Sequence, residues 1–355
     1  MNDSPFQFNP TATELRHTSD PVELVPSKRM ALPQVTMEIE DVPVRRFMAK
    51  YPRFEPKLRD ATAVSTYKTC ARKYFFQLVL GRVPREEEVY FAWGSAYHVF
   101  RYVLEKEYGY GPERPAKFDQ AKAVEAFLTA QKEGVFYWKT KSVAPAPGSK
   151  WEFMTTERLI KSFVVAFKHW QREKLQGRIE VIAIEQAFNI QMPDGSHRAG
   201  RADQMVRWNR KLWGRDFKTT TKDTKFFSRM LEPSEQFTGY TYSEAKLAGE
   251  SVEGQFVEVL YNAKDTKNKK HGPEILELTT ARTPWQLEEF ENDQMMVNQM
   301  IKLNRDADRW PMFEPACPFC PYHSVCIKPT EQAMMAQLEM HFRVRPWDCT
   351  KINGD

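Results

Sequence analysis

HRAGRADQMVRWNRKLWGRDFKTTT (residues 197–221) decides the fold of this chain. Its apolar and polar residues alternate on both sides of Asn209-Arg210, a pattern that predicts two strands joined by a tight turn. Immediately upstream, IEVIAIEQAFNIQM (179–192) is β-branched and apolar, and PDGS (193–196) has turn chemistry. Together they predict a three-stranded meander. Beyond it lie a helix over 234–247, a strand in GQFVEVLYN (254–262), a basic loop, a strand in EILELTT (274–280) and a long helix from about Pro284 to Arg305. Before it, helical spacing is found in four stretches. They are AVSTYKTCARKYFFQLVLG (63–81, Ser65 as N-cap and Gly81 as stop), FAWGSAYHVFRYVLEKEYG (91–109), residues 118–139, and TTERLIKSFVVAFKHWQREKLQ (155–176). Helices, a central sheet and then helices predict an α/β class with one mixed sheet flanked by helices.

The chain has 355 residues, 41% of them hydrophobic and 28% charged, which is the composition of a soluble globular protein. No stretch approaches the roughly 20 apolar residues of a membrane span, and MNDSPFQFNP lacks the layout of a signal peptide. A cytoplasmic protein without a membrane partner is therefore expected. Five cysteines do not make a disulfide scaffold. The formal charge of +5 permits a nucleic-acid partner without requiring one. Eight prolines interrupt residues 1–56, which reads as an extended or disordered arm. Residues 57–328 read as the folded domain and 329–355 as a C-terminal tail.

Residues two apart on a strand share a face, so Asp216 and Lys218 project together. The hairpin brings Asp203 to the same end. Two carboxylates that close repel one another unless a divalent cation neutralises them, and oxygen donors suit Mg²⁺ or Mn²⁺. A neighbouring lysine can orient a water and stabilise charge developing on a phosphate. His98, in Gly94-Ser95-Ala96-Tyr97-His98, can turn a ring nitrogen to such a metal. Gln236 and Tyr240, four apart, share a helix face.

GSAYH (94–98), GRAD (200–203), DFKTTT (216–221) and QFTGY (236–240) occur in the order of the RecB-like branch of the PD-(D/E)xK nucleases, and residues 63–328 resemble that family. The resemblance implies a restriction-endonuclease-like core. It implies that His98, Asp203, Asp216 and the backbone carbonyl of Phe217 hold the metal, and that Lys218 serves the attacking water. Gln236 and Tyr240 would shape the DNA-binding face, and Glu185 (in AIEQAF) matches a recurrent family glutamate. The implied activity is a Mg²⁺- or Mn²⁺-dependent deoxyribonuclease. An exonuclease on single strands or DNA ends fits best, in repair, recombination, phage DNA processing or CRISPR adaptation. A catalytically silent DNA-binding subunit of the same fold is the alternative. The chain has no G-x-x-x-x-G-K-[ST] phosphate loop, so unwinding would need a helicase or another recombination or replication partner.

Cys317, Cys320 and Cys326 lie in PACPFCPYHSVCIKP, close enough for their thiolates to converge on one centre. The fourth ligand is open. His323 would complete a structural Zn²⁺ site, as in a zinc-stapled nucleic-acid-binding protein, whereas Cys70 would make a four-thiolate site for zinc or an iron–sulfur cluster. The resemblance favours Cys70. AddB-like and CRISPR-adaptation members carry one cysteine before the nuclease motifs and C-x₂-C-x₅-C after them, implying a [4Fe–4S] cluster that joins the N-terminal helical part to the C-terminal segment. Cys349 has no evident partner. Arg215, Lys222, Lys225, Lys267, Lys269 and Lys270 are candidate phosphate contacts. Tyr67, Tyr74, Phe75, Trp93 and Tyr97 could stack on bases but sit at core-like helical spacing.

Overall fold

Asp60 opens the first helix: its carboxylate accepts the Ala63 N–H at 2.8 Å, so it, and not Ser65, is the cap of α1 (Ala61–Thr69). The single helix expected as far as Gly81 breaks at Cys70, which adopts an extended backbone (φ −170°, ψ 119°). The chain restarts as α2 (Ala71–Tyr74) and a π-helical turn, Phe75–Val79. Tyr74, Phe75 and Phe76 are consecutive and all fully buried where the chain passes from α2 into the π turn.

β1 (Arg82–Pro84) leads to α3 (Val89–Tyr108), α4 (Gln120–Lys141) and α5 (Thr156–Gln176). Thr155 caps α5 and Gly177 ends it in a left-handed conformation. The meander forms as expected, as β2 (Ile179–Gln191), β3 (His197–Trp208) and β4 (Lys211–Thr220). An unanticipated helix, α6 (Thr224–Leu231), precedes α7 (Glu235–Ala248). Then come β5 (Val252–Tyr261), β6 (Glu274–Ala281), α8 (Pro284–Asp306), α9 (His323–Cys326), α10 (Glu331–His341) and β7 (Phe342–Val344).

This computed structural model describes residues 47–349 apart from 55, 57, 87, 142–144, 146, 223 and 266–270, all within the unit Val44–Asp355. The arm expected over residues 1–56 lies outside the described residues as far as 46. Among the described residues, five strands form one mixed sheet in the order β2-β3-β4-β5-β6, with β4 and β5 parallel and the other pairs antiparallel. A parallel pair needs a crossover connection, and α6 and α7 supply it.

Aromatic side chains dominate the packing. One cluster joins α3, α4 and α5 to the sheet residues Phe217 and Leu260, with Phe100 and Phe163 stacked at 4.4 Å. A second joins α1, α2 and the π turn to α8, α9 and α10. The segment after the cysteines thus contributes Met334, Leu338 and Phe342 to a core, and β7 pairs with β1. Tyr67, Tyr74, Phe75, Trp93 and Tyr97 are buried in these two clusters, so they are core residues and not surfaces for stacked bases.

Candidate active site

β3 and β4 pair from Trp208↔Lys211 up to Gln204↔Arg215. Beyond that pair β3 continues against β2, and β4 continues against β5. The strands part at Asp203 and Asp216, the next positions in register. Phe217 N–H donates to Asp203 Oδ2 at 2.9 Å, which ties the two strands at the fork. Glu185 falls between Ile184↔Gln204 and Gln186↔Ala202, level with Asp203 on the third strand. It takes a left-handed backbone (φ 46°), a conformation that costs a non-glycine residue roughly 1 kcal/mol, and Arg201 donates to its carbonyl at 2.8 Å.

Helices on the two sides of the sheet complete the group. α3 presents His98, whose Nδ1 lies 3.2 Å from Asp203 Oδ2. On β4, Lys218 Nζ lies 2.9 Å and 2.7 Å from the two Asp216 oxygens. The ammonium sits 5.6 Å from the centre of the Phe237 ring on α7. One turn along that helix, Gln236 donates to the Tyr240 hydroxyl at 3.1 Å. The structure therefore gathers His98, Glu185, Asp203, Asp216 and Lys218 at the fork, with the α7 pair beside them.

The electrostatics show a shortage of positive charge. Burial raises the Asp216 carboxyl to about 6; Lys218 opposes the rise and Asp203 adds to it. Burial and then the Asp203 charge raise Glu185 to about 7. Burial also acts on Asp203, but His98, Lys218 and the Phe217 N–H hold its carboxyl below the usual range. His98 is raised because Asp203 outweighs the burial that would lower it. Burial and the two aspartates push the Tyr240 hydroxyl far up. Three carboxylates and one imidazole face only Lys218 and, at Glu185, Arg201 (3.7 Å), a hard donor set with excess negative charge. They fit Mg²⁺ or Mn²⁺ on donor chemistry and on charge.

The opposite face of β4 is different. Arg215, expected among the phosphate contacts, is 2% exposed. Strand alternation turns it away from Asp216, and its Nη2 lies 2.8 Å and 2.9 Å from the Glu173 oxygens and 2.5 Å from Glu258. Arg215 is thus a buried structural cation. It also accounts for the compact set of potential metal donors His169, Glu173 and Glu258, because its guanidinium already lies against both carboxylates. Lys222 and Lys225 are exposed beyond the end of β4. Lys267, Lys269 and Lys270 lie outside the described residues. The segment after β5 starts beside β4, with Asn262 N–H donating to the Thr220 carbonyl at 2.8 Å.

Two buried acids escaped the motif reading. Glu244 extends the Gln236–Tyr240 row by one more turn of α7, and burial raises its carboxyl to about 8. It hydrogen bonds to Gln255 at 2.6 Å, in space left by Gly214, where a Cβ would collide with both side chains. The four-residue spacing from Tyr240 was the available signal. Glu258, the register partner of Phe217, sits alone in an apolar strand, and an isolated acid in such a run was its signal.

Cys70, Cys317, Cys320 and Cys326 line one cavity of about 280 Å³, which His323 also lines. The extended backbone at Cys70 brings it to a trio some 250 residues away in the sequence. Burial raises the Cys326 thiol to about 12 and also raises Cys320. Thiolates in this cavity therefore need a cation. Cys349 lies elsewhere, near Asp60, with its thiol raised by burial to about 11.

The family model of the PD-(D/E)XK nuclease superfamily matches residues 61–327. A solved structure named "Putative exonuclease", from Eubacterium rectale, covers 77% of this chain and 91% of its own, at 11% identity and a TM-score of 0.43. Another, named SSO0001, covers 59% of this chain and 96% of its own, at 15% identity and a TM-score of 0.24. Likeness at that level bears on neither activity nor substrate. No curated protein sequence matches the chain. The family match spans the sheet, the fork and the first and last cluster cysteines, and on that match the chain belongs to the PD-(D/E)XK nuclease superfamily.

Proposed function

We propose that this nuclease-superfamily chain is a Mg²⁺- or Mn²⁺-dependent deoxyribonuclease of the RecB-like branch. It acts as an exonuclease on single-stranded DNA or DNA ends, in repair, recombination, phage DNA processing or CRISPR adaptation. The observation that carries this reading is the meeting of His98, Asp203, Asp216 and Lys218 at the β3–β4 fork, with more buried negative charge than positive. Asp203, Asp216, His98 and the Phe217 carbonyl would hold the metal, with Glu185 beside them. A bound divalent ion supplies charge stabilisation at phosphate and a more acidic water.

The chain's own residues have separate tasks. Lys218 is held by Asp216 and offers its ammonium to the water and to the charge that develops on phosphate. Tyr240 remains a neutral phenol, and with Gln236 it forms a polar wall without adding negative charge. Hydrolysis forms a P–O bond from water and breaks the bond to the neighbouring 3′ oxygen. The products carry 5′-phosphate and 3′-hydroxyl ends. Lys222 and Lys225, and the loop carrying Lys267, Lys269 and Lys270, are assigned to DNA phosphates. A helicase or other recombination or replication protein is the expected partner for duplex substrates. No helix among the described residues is long and apolar enough to cross a membrane.

The second centre is read as a [4Fe–4S] cluster on Cys70, Cys317, Cys320 and Cys326, which would tie α1 to the segment after α8. The shared cavity supports this reading. Because His323 lines the same cavity, structural Zn²⁺ is the competing occupant. Anaerobic purification should give brown protein with broad absorbance near ~400 nm and with iron and sulfide; colourless protein with one zinc would replace the cluster by zinc.

The test of function is cleavage of end-labelled single- and double-stranded DNA with Mg²⁺ or Mn²⁺, beside Asp216→Ala and Lys218→Ala. Loss in both variants supports the assignment, and the label pattern gives polarity. Cleavage that survives both substitutions refutes the site. An inactive wild type that still binds DNA points to the silent binding subunit.

A further inference from the structure

We infer that Glu258, on the reverse face of the sheet, is a positioning residue that aims His98 at the fork through a two-point grip on α3. The functional part of this inference rests on the nuclease reading above. Its geometric part does not.

Tyr97 and Arg101 are four residues apart on α3 and so share one face of that helix. Both reach the same carboxylate: the Tyr97 hydroxyl donates to Glu258 Oε1 at 2.5 Å and Arg101 Nη2 to Oε2 at 3.1 Å. α3 already packs on α4, α5 and the sheet through apolar side chains, which tolerate small rotations and slips; the two directional bonds, one turn apart on the helix, add the finer constraint on rotation and register. His98 follows Tyr97 by about 100° of helical rotation, so the grip on its neighbours sets where its ring points. The ring points at Asp203, 3.2 Å away.

The other end of the grip is anchored at the fork. Glu258 on β5 is the register partner of Phe217 on β4, whose N–H holds Asp203. The Phe217 ring packs against the guanidinium groups of Arg101 (4.6 Å) and Arg215 (5.4 Å) and meets the His98 ring edge-on at 6.3 Å. Arg215 completes the set by bonding Glu258 and Glu173 together. Tyr97, Arg101, Arg215 and Glu258 are 0–2% exposed, so water does not compete for these bonds. Burial would raise the Glu258 carboxyl, but Arg101 and Arg215 outweigh it and hold the group charged.

The test uses the full chain with Tyr97→Phe, which removes one hydroxyl and keeps the ring, and Glu258→Gln, which keeps the shape and removes the charge. Two readouts are taken well below the unfolding temperature. The first is the nuclear Overhauser contact between the His98 and Phe217 rings in metal-free protein. The second is Mn²⁺ affinity by calorimetry. Tyr97→Phe is expected to stay folded, weaken the ring contact, bind Mn²⁺ about tenfold less tightly and lower kcat more than it raises KM. Glu258→Gln should show the same pattern more strongly. A Tyr97→Phe protein with the wild-type ring contact and wild-type Mn²⁺ affinity overturns the inference, even if it is less stable. If the wild type binds no Mn²⁺, the nuclease reading fails, and the metal-free ring contact still decides the positioning claim.

Discussion

The two faces of β4 bury similar groups and reach opposite electrostatic outcomes. On the α7 face Asp216 is raised to about 6, and nearby Glu185 to about 7. On the α3–α5 face Glu258 is buried as deeply, yet its carboxyl lies below the usual range. The difference is the supply of cations. Arg101 and Arg215 converge on Glu258, whereas Lys218, His98 and the more distant Arg201 (3.7 Å from Glu185) are spread over three carboxylates. Burial by itself therefore does not mark a metal site in this protein. The supply of cations separates the two groups, and the proposed metal site rests on that shortage together with the convergence of the side chains.

The sharpest way to break this contrast is to remove one acid from each face. Asp216→Asn should lower DNA cleavage by about 10³-fold or more, since charge stabilisation at the reacting phosphate is lost. In metal-free protein the same change should raise stability. A carboxyl with a folded value of about 6 against 3.8 unfolded holds its proton longer in the folded state, so stability falls as pH rises from about 4 to about 6 and the cost persists above it. Urea unfolding at pH 8 reads this. Glu258→Ala should do the reverse and cost about 3–5 kcal/mol, because it strands the buried Arg101 and leaves Arg215 with Glu173 alone. If both variants lose stability alike, the contrast is wrong.

Glu244→Gln is a milder test on the α7 face. Its carboxyl is raised to about 8 against an ordinary 4.5, so the wild type carries a penalty at neutral pH that the amide avoids. A gain of about 3 kcal/mol at pH 7 is expected, shrinking almost to nothing as pH falls below 4.5. A gain that does not depend on pH would mean that packing, not ionisation, is responsible. Mn²⁺ affinity should rise by about 100-fold between pH 5.5 and 7.5 if protons must leave both Asp216 and Glu185, and by about fourfold if Asp216 alone is a ligand. A flat calorimetric profile would remove both groups from the metal site. The smallest effect belongs to Lys222→Ala and Lys225→Ala, each expected to reduce the slope of log affinity for DNA against log salt by about 0.9.

Much of the fork is legible in the sequence. Asn209 and Arg210 form a two-residue turn with φ 51° and 66°, the geometry that suits a tight hairpin. Once Trp208 pairs with Lys211, counting along both strands brings Asp203 opposite Asp216. The placement of Arg215 was legible too, since alternation already opposes it to Asp216, but its charge suggested DNA more strongly than its parity suggested burial. The break at Cys70 was not legible. The stretch around it has continuous helical spacing, yet Cys70 is extended and lines the cavity shared with Cys317, Cys320 and Cys326. The role of residues 331–344 was hidden for a similar reason. They are rich in apolar residues, but the surface those residues cover lies on α1, α2 and the π turn, far away in sequence.

The sequence by itself determined the meander, its register and the identity of the groups at its open end. Those follow from residues close in the chain, through strand alternation and turn geometry, and so survive in a linear reading. Only the tertiary structure decided which carboxylates would be short of cations, and that Cys70 and the C-terminal trio would share a cavity. It also decided that a glutamate behind the sheet would grip the helix carrying His98. Charge balance and helix orientation depend on distances between segments 40 to 250 residues apart, and no local pattern encodes those distances.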